Sequence, residues 1–127
     1  MGMVVNGVRS KKVIEERDRE VVSEMFTLQE LEKAVETADY VALALPHTRE
    51  TENVVGVKVF GKMKSSAVLI NVGRGASVDE HALCDALNTG KIRGAALDVF
   101  QTEPLPESSP LWSIDEAKLL MSFHSAD

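Results

Sequence analysis

Cysteine is nearly missing from this 127-residue chain: Cys84 is the single thiol, so no internal disulfide can form, and no Asn-x-Ser/Thr sequon marks an exported protein. Long apolar runs are missing as well, since none approaches the roughly 18 residues that a bilayer-spanning helix needs. The opening Met1-Gly2-Met3-Val4-Val5-Asn6 has neither the charged leader nor the apolar core of a signal peptide, and Asn6 stands where a myristoylation signal needs Ser or Thr. These absences predict a cytoplasmic chain with no membrane contact. Positive charge is scarce: 14 Lys and Arg against 20 Asp and Glu give a net charge of −6. No broad basic surface is therefore available for nucleic-acid phosphates or anionic lipid, and neither is an expected partner. His47, His81 and Cys84 lack structural-zinc spacing, so no metal site is predicted. Internal repeats and low-complexity tracts are absent too.

What is present is a series of short apolar runs without alternation: Val4 to Val8, Tyr40 to Leu45, Ala67 to Val72, and Gly94 to Phe100 interrupted only by Asp98. Such runs predict strands buried on both faces. Between them lie helical patterns. Thr27 with Glu30 three residues on forms a capping box, stapled by Phe26 and Leu31, and Leu28, Leu31, Ala34, Val35 and Ala38 give that helix one apolar face until it stops near Asp39. Asp79 caps a second helix, stapled by Val78 and Leu83, with Glu80 at its positive end and a stop before Gly90. A weaker helical stretch covers residues 57–63, interrupted by Gly61. Residues 9–20 predict a solvated connection, and Val21 to Met25 a short strand. Strands linked by helical crossovers of this length predict an α/β fold, a Rossmann-type parallel sheet with flanking helices.

In an open parallel sheet, ligands bind beyond the carboxyl ends of the strands. Four such ends carry chemistry: Leu45-Pro46-His47-Thr48, Asn71-Val72-Gly73-Arg74-Gly75, Asp98, and His124 after Leu119-Leu120-Met121. A base, a cation and an acid converge on one edge. At the end of the first strand stands Arg9-Ser10-Lys11-Lys12, where folds that select NAD place an acid for the ribose hydroxyls; basic residues suit a 2′-phosphate, so NADP is expected over NAD.

The segments NVGRG at 71–75, VDEHAL at 78–83, GAALDVFQTEPLP at 94–106, SPLW at 109–112 and His124 resemble the D-isomer-specific 2-hydroxyacid dehydrogenases, in that family's order and spacing, from Ala38 onward. The resemblance implies a coenzyme-binding domain using NADP or NAD on a small 2-hydroxy or 2-keto acid. It further implies that Arg74 binds the substrate carboxylate and carbonyl oxygen, that His124 exchanges a proton with the substrate oxygen, and that Glu103 hydrogen-bonds His124. By the same resemblance, Leu45, Pro46 and Val72 line the nicotinamide side and Asp98 accepts from the carboxamide; Arg9, Ser10 and Lys11 are the coenzyme-binding candidates that the strand-end position supplies. The roles are chemically coherent. Hydride arriving at a carbonyl carbon creates an alkoxide that needs a proton from a group titrating near neutrality, and a guanidinium grips a carboxylate with two prongs.

Three departures from the family pattern shape the expectation. No Gly-x-Gly-x-x-Gly turn occurs, so the pyrophosphate cradle and the central strand before it are not in this sequence, nor is a substrate domain. Phe123 stands where the family has Pro before its catalytic His, and the chain stops at Asp127. Residues 1–127 are thus expected to be a partial coenzyme-binding domain, inactive alone, whose longer form is a homodimer. Two other classes compete. A dinucleotide-sensing, co-repressor-like protein would show no turnover at full length, and a receiver-like phosphorelay domain needs clustered acids at its first strand end, which Met1 to Ser10 lack. Cys84 lies one helical turn from His81, but a lone helix cysteine is ordinarily a small packing residue.

Overall fold

The computed structural model describes residues 2–125, and each apolar run emerges in it as a short strand. Strand β1 (Val5–Arg9) pairs in parallel with β2 (Val22–Thr27) as a two-stranded sheet. A separate four-stranded sheet holds β3 (Tyr40–Leu43), β4 (Val68–Asn71), β5 (Gly94–Leu97) and β6 (Leu119–Met121) in that order, every pair parallel. The three central strands predicted from sequence are therefore adjacent and parallel. Among the described residues β1 and β3 are each paired along one edge only.

The strands stop earlier than their apolar runs. The β4 ladder ends where the Asn71 side chain takes over the Gly73 N–H, and the chain beyond β3 meets Pro46, which has no N–H to give. Three helices follow: α1 (Leu31–Val35), α2 (Val57–Lys62) and α3 (Glu80–Asn88). The helix expected from Thr27 to near Asp39 is instead a single 3-10 turn, Leu28–Glu30, followed by the short α1. Its predicted start is chemically as expected, since the Glu30 carboxylate accepts from the Thr27 N–H at 2.9 Å and hydroxyl at 3.2 Å, while Phe26 and Leu31 are buried. Past Val35 only Ala38 remains to bury before β3, so little holds further turns in place. In α3 the Asp79 carboxylate accepts from the Ala82 N–H at 3.1 Å. Gly90, at φ +75°, turns the chain out after it in the left-handed conformation that glycine adopts without a Cβ clash.

The core joins Leu31, Val35, Val59, Phe60, Leu83 and Leu87 of the helices to Val41, Leu43, Leu69, Ala95, Leu97 and Leu119 of the larger sheet. All three helices thus lie on one sheet face. Here the structure corrects the expectation of strands buried on both sides. On the other face the register aligns Ala42, Ile70, Ala96 and Leu120 across the strands, and Tyr40 and Leu120 are exposed because no described helix covers them. Val4 and Val5 of the first run are exposed as well. None of the described helices is long and apolar enough to cross a membrane.

Candidate active site

Because β3 to β6 are parallel and in register, Leu43, Asn71, Leu97 and Met121 form the last row of the larger sheet, and the residues that follow all emerge on one edge. Two glycines let these exits close on one another. A Cβ on Gly73 would stand 2.7 Å from the Leu45 nitrogen, and one on Gly75 would land on the Phe100 carbonyl, so only glycine fits either place. Arg74 sits between them, exposed, with Nη1 donating to the Gly73 carbonyl at 2.9 Å. The turn that presents it is held by Asn71, whose buried amide accepts from the Gly73 N–H at 3.1 Å and donates to the Arg74 carbonyl at 3.0 Å. Asn71 was quoted in the motif but given no role; its position inside an apolar run was the available signal.

At the β5 exit, buried Asp98 binds the segment after β6. Its Oδ1 accepts from the Ser122 hydroxyl at 2.5 Å, the Ser125 N–H at 2.8 Å and the Ser125 hydroxyl at 3.1 Å, while its backbone carbonyl takes the His124 N–H at 2.7 Å. This engagement was not foreseen from sequence. It flanks His124 on both sides and secures a residue at φ +58°, a conformation that costs a non-glycine residue about 1 kcal/mol unless the surroundings impose it. The ring is then set against Glu103: His124 Nδ1 and Glu103 Oε1 are 3.1 Å apart, both side chains part-exposed. Arg74, Asp98, Glu103 and His124 thus all follow the carboxyl ends of adjacent strands, and the structure brings Asp98 and Glu103 each into contact with His124.

Supporting contacts tie the loops together. The Gln101 amide donates to the Val78 carbonyl at 2.8 Å and to Asn53 Oδ1 at 3.1 Å, and its N–H donates to the Glu80 carboxylate at 2.8 Å. Burial nevertheless pushes the Glu80 carboxyl above its usual range, outweighing the Gln101 N–H and the nearby His81. Phe123, the residue in the place of the family's Pro, packs against Phe100 and stacks on Trp112, with ring centroids 5.7 and 6.2 Å apart. Trp112 is half exposed, and its indole N–H donates to the Pro106 carbonyl of the proline loop at 2.9 Å. Cys84 is buried, and burial, then Glu80 and Asp85, raise its thiol pKa, which suits a packing residue.

Away from this cluster, at the β1 exit, a pocket of about 400 Å³ is lined by Arg9, Ser10, Lys11, Val13 and Glu15. Arg9 already has partners there, Glu15 at 2.9 Å and Asp18 at 3.8 Å. Lys12 turns away to Glu30 at 3.1 Å. On the strand-end edge, Pro46 and Val72 are exposed and Leu45 half-buried, leaving an apolar surface beside Arg74.

The family model described as D-isomer specific 2-hydroxyacid dehydrogenase, NAD binding domain, matches residues 1–126. Over 97 residues the sequence is 50% identical to a glyoxylate/hydroxypyruvate reductase B of Enterobacter sp. (strain 638), covering 76% of this chain and 30% of that protein. The crystal structure of phosphoglycerate dehydrogenase from Lactobacillus plantarum superposes with a TM-score of 0.86 at 34% identity, covering 98% of this chain and 38% of that one. The apo structure of an NADPH-dependent glyoxylate/hydroxypyruvate reductase from Sinorhizobium meliloti gives 0.83 at 33% identity, covering all of this chain and 62% of that one. The chain spans about a third of the length of the curated relatives it matches.

Proposed function

The chain belongs to the D-isomer specific 2-hydroxyacid dehydrogenase family, and from that membership we propose that its strand-end cluster is the catalytic part of an NAD(P)-dependent reductase of small 2-keto acids of the glyoxylate or hydroxypyruvate type. The observation that carries this reading is the His124–Glu103 pair at 3.1 Å, on the same sheet edge as Arg74. Arg74 grips the substrate carboxylate and polarises its carbonyl. His124 gives its proton to the substrate oxygen as negative charge develops there, and Glu103 holds the ring in place through Nδ1, leaving Nε2 for the substrate. The coenzyme, when bound, supplies the hydride. Asp98 acts through the 122–125 segment as a positioning residue for His124.

The residues present suit the two ends of a dinucleotide. Leu45, Pro46 and Val72 offer an apolar rest for the nicotinamide side, and the pocket of Arg9, Ser10 and Lys11 suits a 2′-phosphate, which favours NADP. The pyrophosphate cradle finds no counterpart in the sequence. Residues 1–127 therefore act as part of a coenzyme-binding domain; in the order 3-2-1-4-5-6 one further strand fits between β1 and β3, each of which has one edge unpaired among the described residues.

A chimera tests the reading. Residues of this chain replace the matching segment of the Enterobacter reductase, which supplies the remaining parts. NADPH-dependent reduction of glyoxylate or hydroxypyruvate is expected, with kcat lowered about a hundredfold or more by His124→Asn and kcat/KM by a similar factor in Arg74→Ala. A folded chimera without turnover, or one indifferent to both substitutions, overturns the proposal and favours a dinucleotide-sensing role.

A further inference from the structure

Resting on the coenzyme reading above, we propose that Glu15 is a specificity-determining residue: its carboxylate holds the Arg9 guanidinium, and a ribose 2′-phosphate must take its place there. The geometry is a shared fork. Glu15 Oε1 lies 2.9 Å from Arg9 Nη1, and its other oxygen lies 3.0 Å from Arg17 Nε, so one carboxylate of the pocket lining bridges two guanidiniums. Asp18 approaches the second arm of Arg9 at 3.8 Å. Lys12 is drawn off to Glu30, which leaves Arg9 and Lys11 as the cations lining the pocket, and Lys11 has no side-chain partner among the described residues. The Arg9 charge that would select a phosphate is therefore covered by acids of the following connection, while Lys11 stays uncovered among the described residues.

That cover is displaceable. Arg9 and Glu15 both have more than a third of their side chains exposed, and such pairs are weakened by solvent and salt. A phosphomonoester carries nearly two negative charges and presents three oxygens, so it out-competes one carboxylate for a guanidinium fork. A free ribose hydroxyl does the opposite: it donates to the Glu15 carboxylate where that group already sits, the arrangement by which an acid accepts from the ribose of NAD. Glu15 thus opposes the phosphorylated coenzyme and assists the unphosphorylated one, and its hold on Arg9 sets the balance between them.

The test reads binding rather than turnover. The chain and the chimera are titrated by NMR with adenosine 2′,5′-bisphosphate and with 5′-AMP, which differ only in the 2′-phosphate. Glu15→Gln is expected to tighten the bisphosphate about fivefold and to leave 5′-AMP unchanged or weaker. Glu16→Gln removes the same charge one residue along, where no ion pair is present among the described residues, and is expected to move both ligands together and by less. If the ratio of the two affinities shifts no more in Glu15→Gln than in Glu16→Gln, while Arg9→Ala still abolishes the preference for the bisphosphate, the proposal for Glu15 fails and the coenzyme reading stands. If the unaltered protein shows no preference and Arg9→Ala changes nothing, both fail.

Discussion

Asp98 is the residue on which the site depends most directly. Three donors of the 122–125 segment converge on one carboxylate oxygen, and hydrogen bonds to a charged acceptor contribute about 1.5–3 kcal/mol each when buried. Asp98→Ala is therefore expected to release the segment that carries His124 while leaving β4 and β5 intact. Amide exchange at His124 and Ser125 should accelerate at least about tenfold, with β4 amides unchanged; unchanged exchange at Ser125 would show that the segment is held by other contacts. Asn71 works by a parallel logic at the neighbouring exit, where its two bonds shape the turn that bears Arg74. Both are polar side chains inside apolar runs, and such residues are retained where a turn or a loop needs their hydrogen bonds.

Among the elements, α3 joins stability to the site. Its first turn bears Glu80, whose carboxylate takes the Gln101 N–H, so the helix start is fastened to the β5 exit loop. The helix dipole favours a negative charge there, but burial is the larger effect and raises the carboxyl pKa in the folded protein. The folded state then binds the Glu80 proton more tightly than the unfolded chain does. This contribution to stability is fully present below the unfolded value of about 4.5 and is lost as pH rises through the folded value. Glu80→Gln keeps an oxygen for Gln101 and removes the buried charge. Urea titrations should show the variant equal to the parent at pH 4 and more stable at pH 7; a variant less stable at pH 7 would mean that the Gln101 bond outweighs desolvation. Glu30, on the exposed turn before α1, has the opposite sign. The Thr27 N–H, then Lys12, lower its pKa, so its contribution is present above the unfolded value and is lost as pH falls through the lower folded value.

At the scale of the whole molecule, the two sheets carry different burdens. The four-stranded sheet owns the core and the edge that carries Arg74, Asp98 and His124, whereas β1 and β2 form a pair with exposed valines at its start, and a two-stranded sheet is marginal without further packing. Arg9 and its pocket thus sit on the less secure part. The 127-residue chain is expected to bind NADPH in the millimolar range or not at all and to transfer no hydride, because no glycine turn brings backbone N–H groups to the diphosphate and the Arg74 side is open to water. Fluorescence titration with NADPH and a glyoxylate assay check this; micromolar binding with turnover would show that this chain is sufficient. Hydrogen exchange should be faster in β1 and β2 than in β4 and β5.

Much of this was legible in the linear order of residues. Unbroken apolar runs separated by capped helical patterns determine a parallel α/β sheet, since a strand, a crossover and a second strand can close in only one hand, and the motif order from Asn71 to His124 determines the family. The capping acids Asp79 and Glu30 were legible because their bonds span only three residues. What tertiary structure alone decided lies at longer range: that Asp98 would bind residues 24 and 27 positions away, that Gln101 would reach Asn53 and Glu80, and that Glu15 would cover Arg9. It also decided that, among the described residues, no helix covers one sheet face, because hydrophobicity reports what a side chain prefers to bury and not whether a neighbour arrives to bury it.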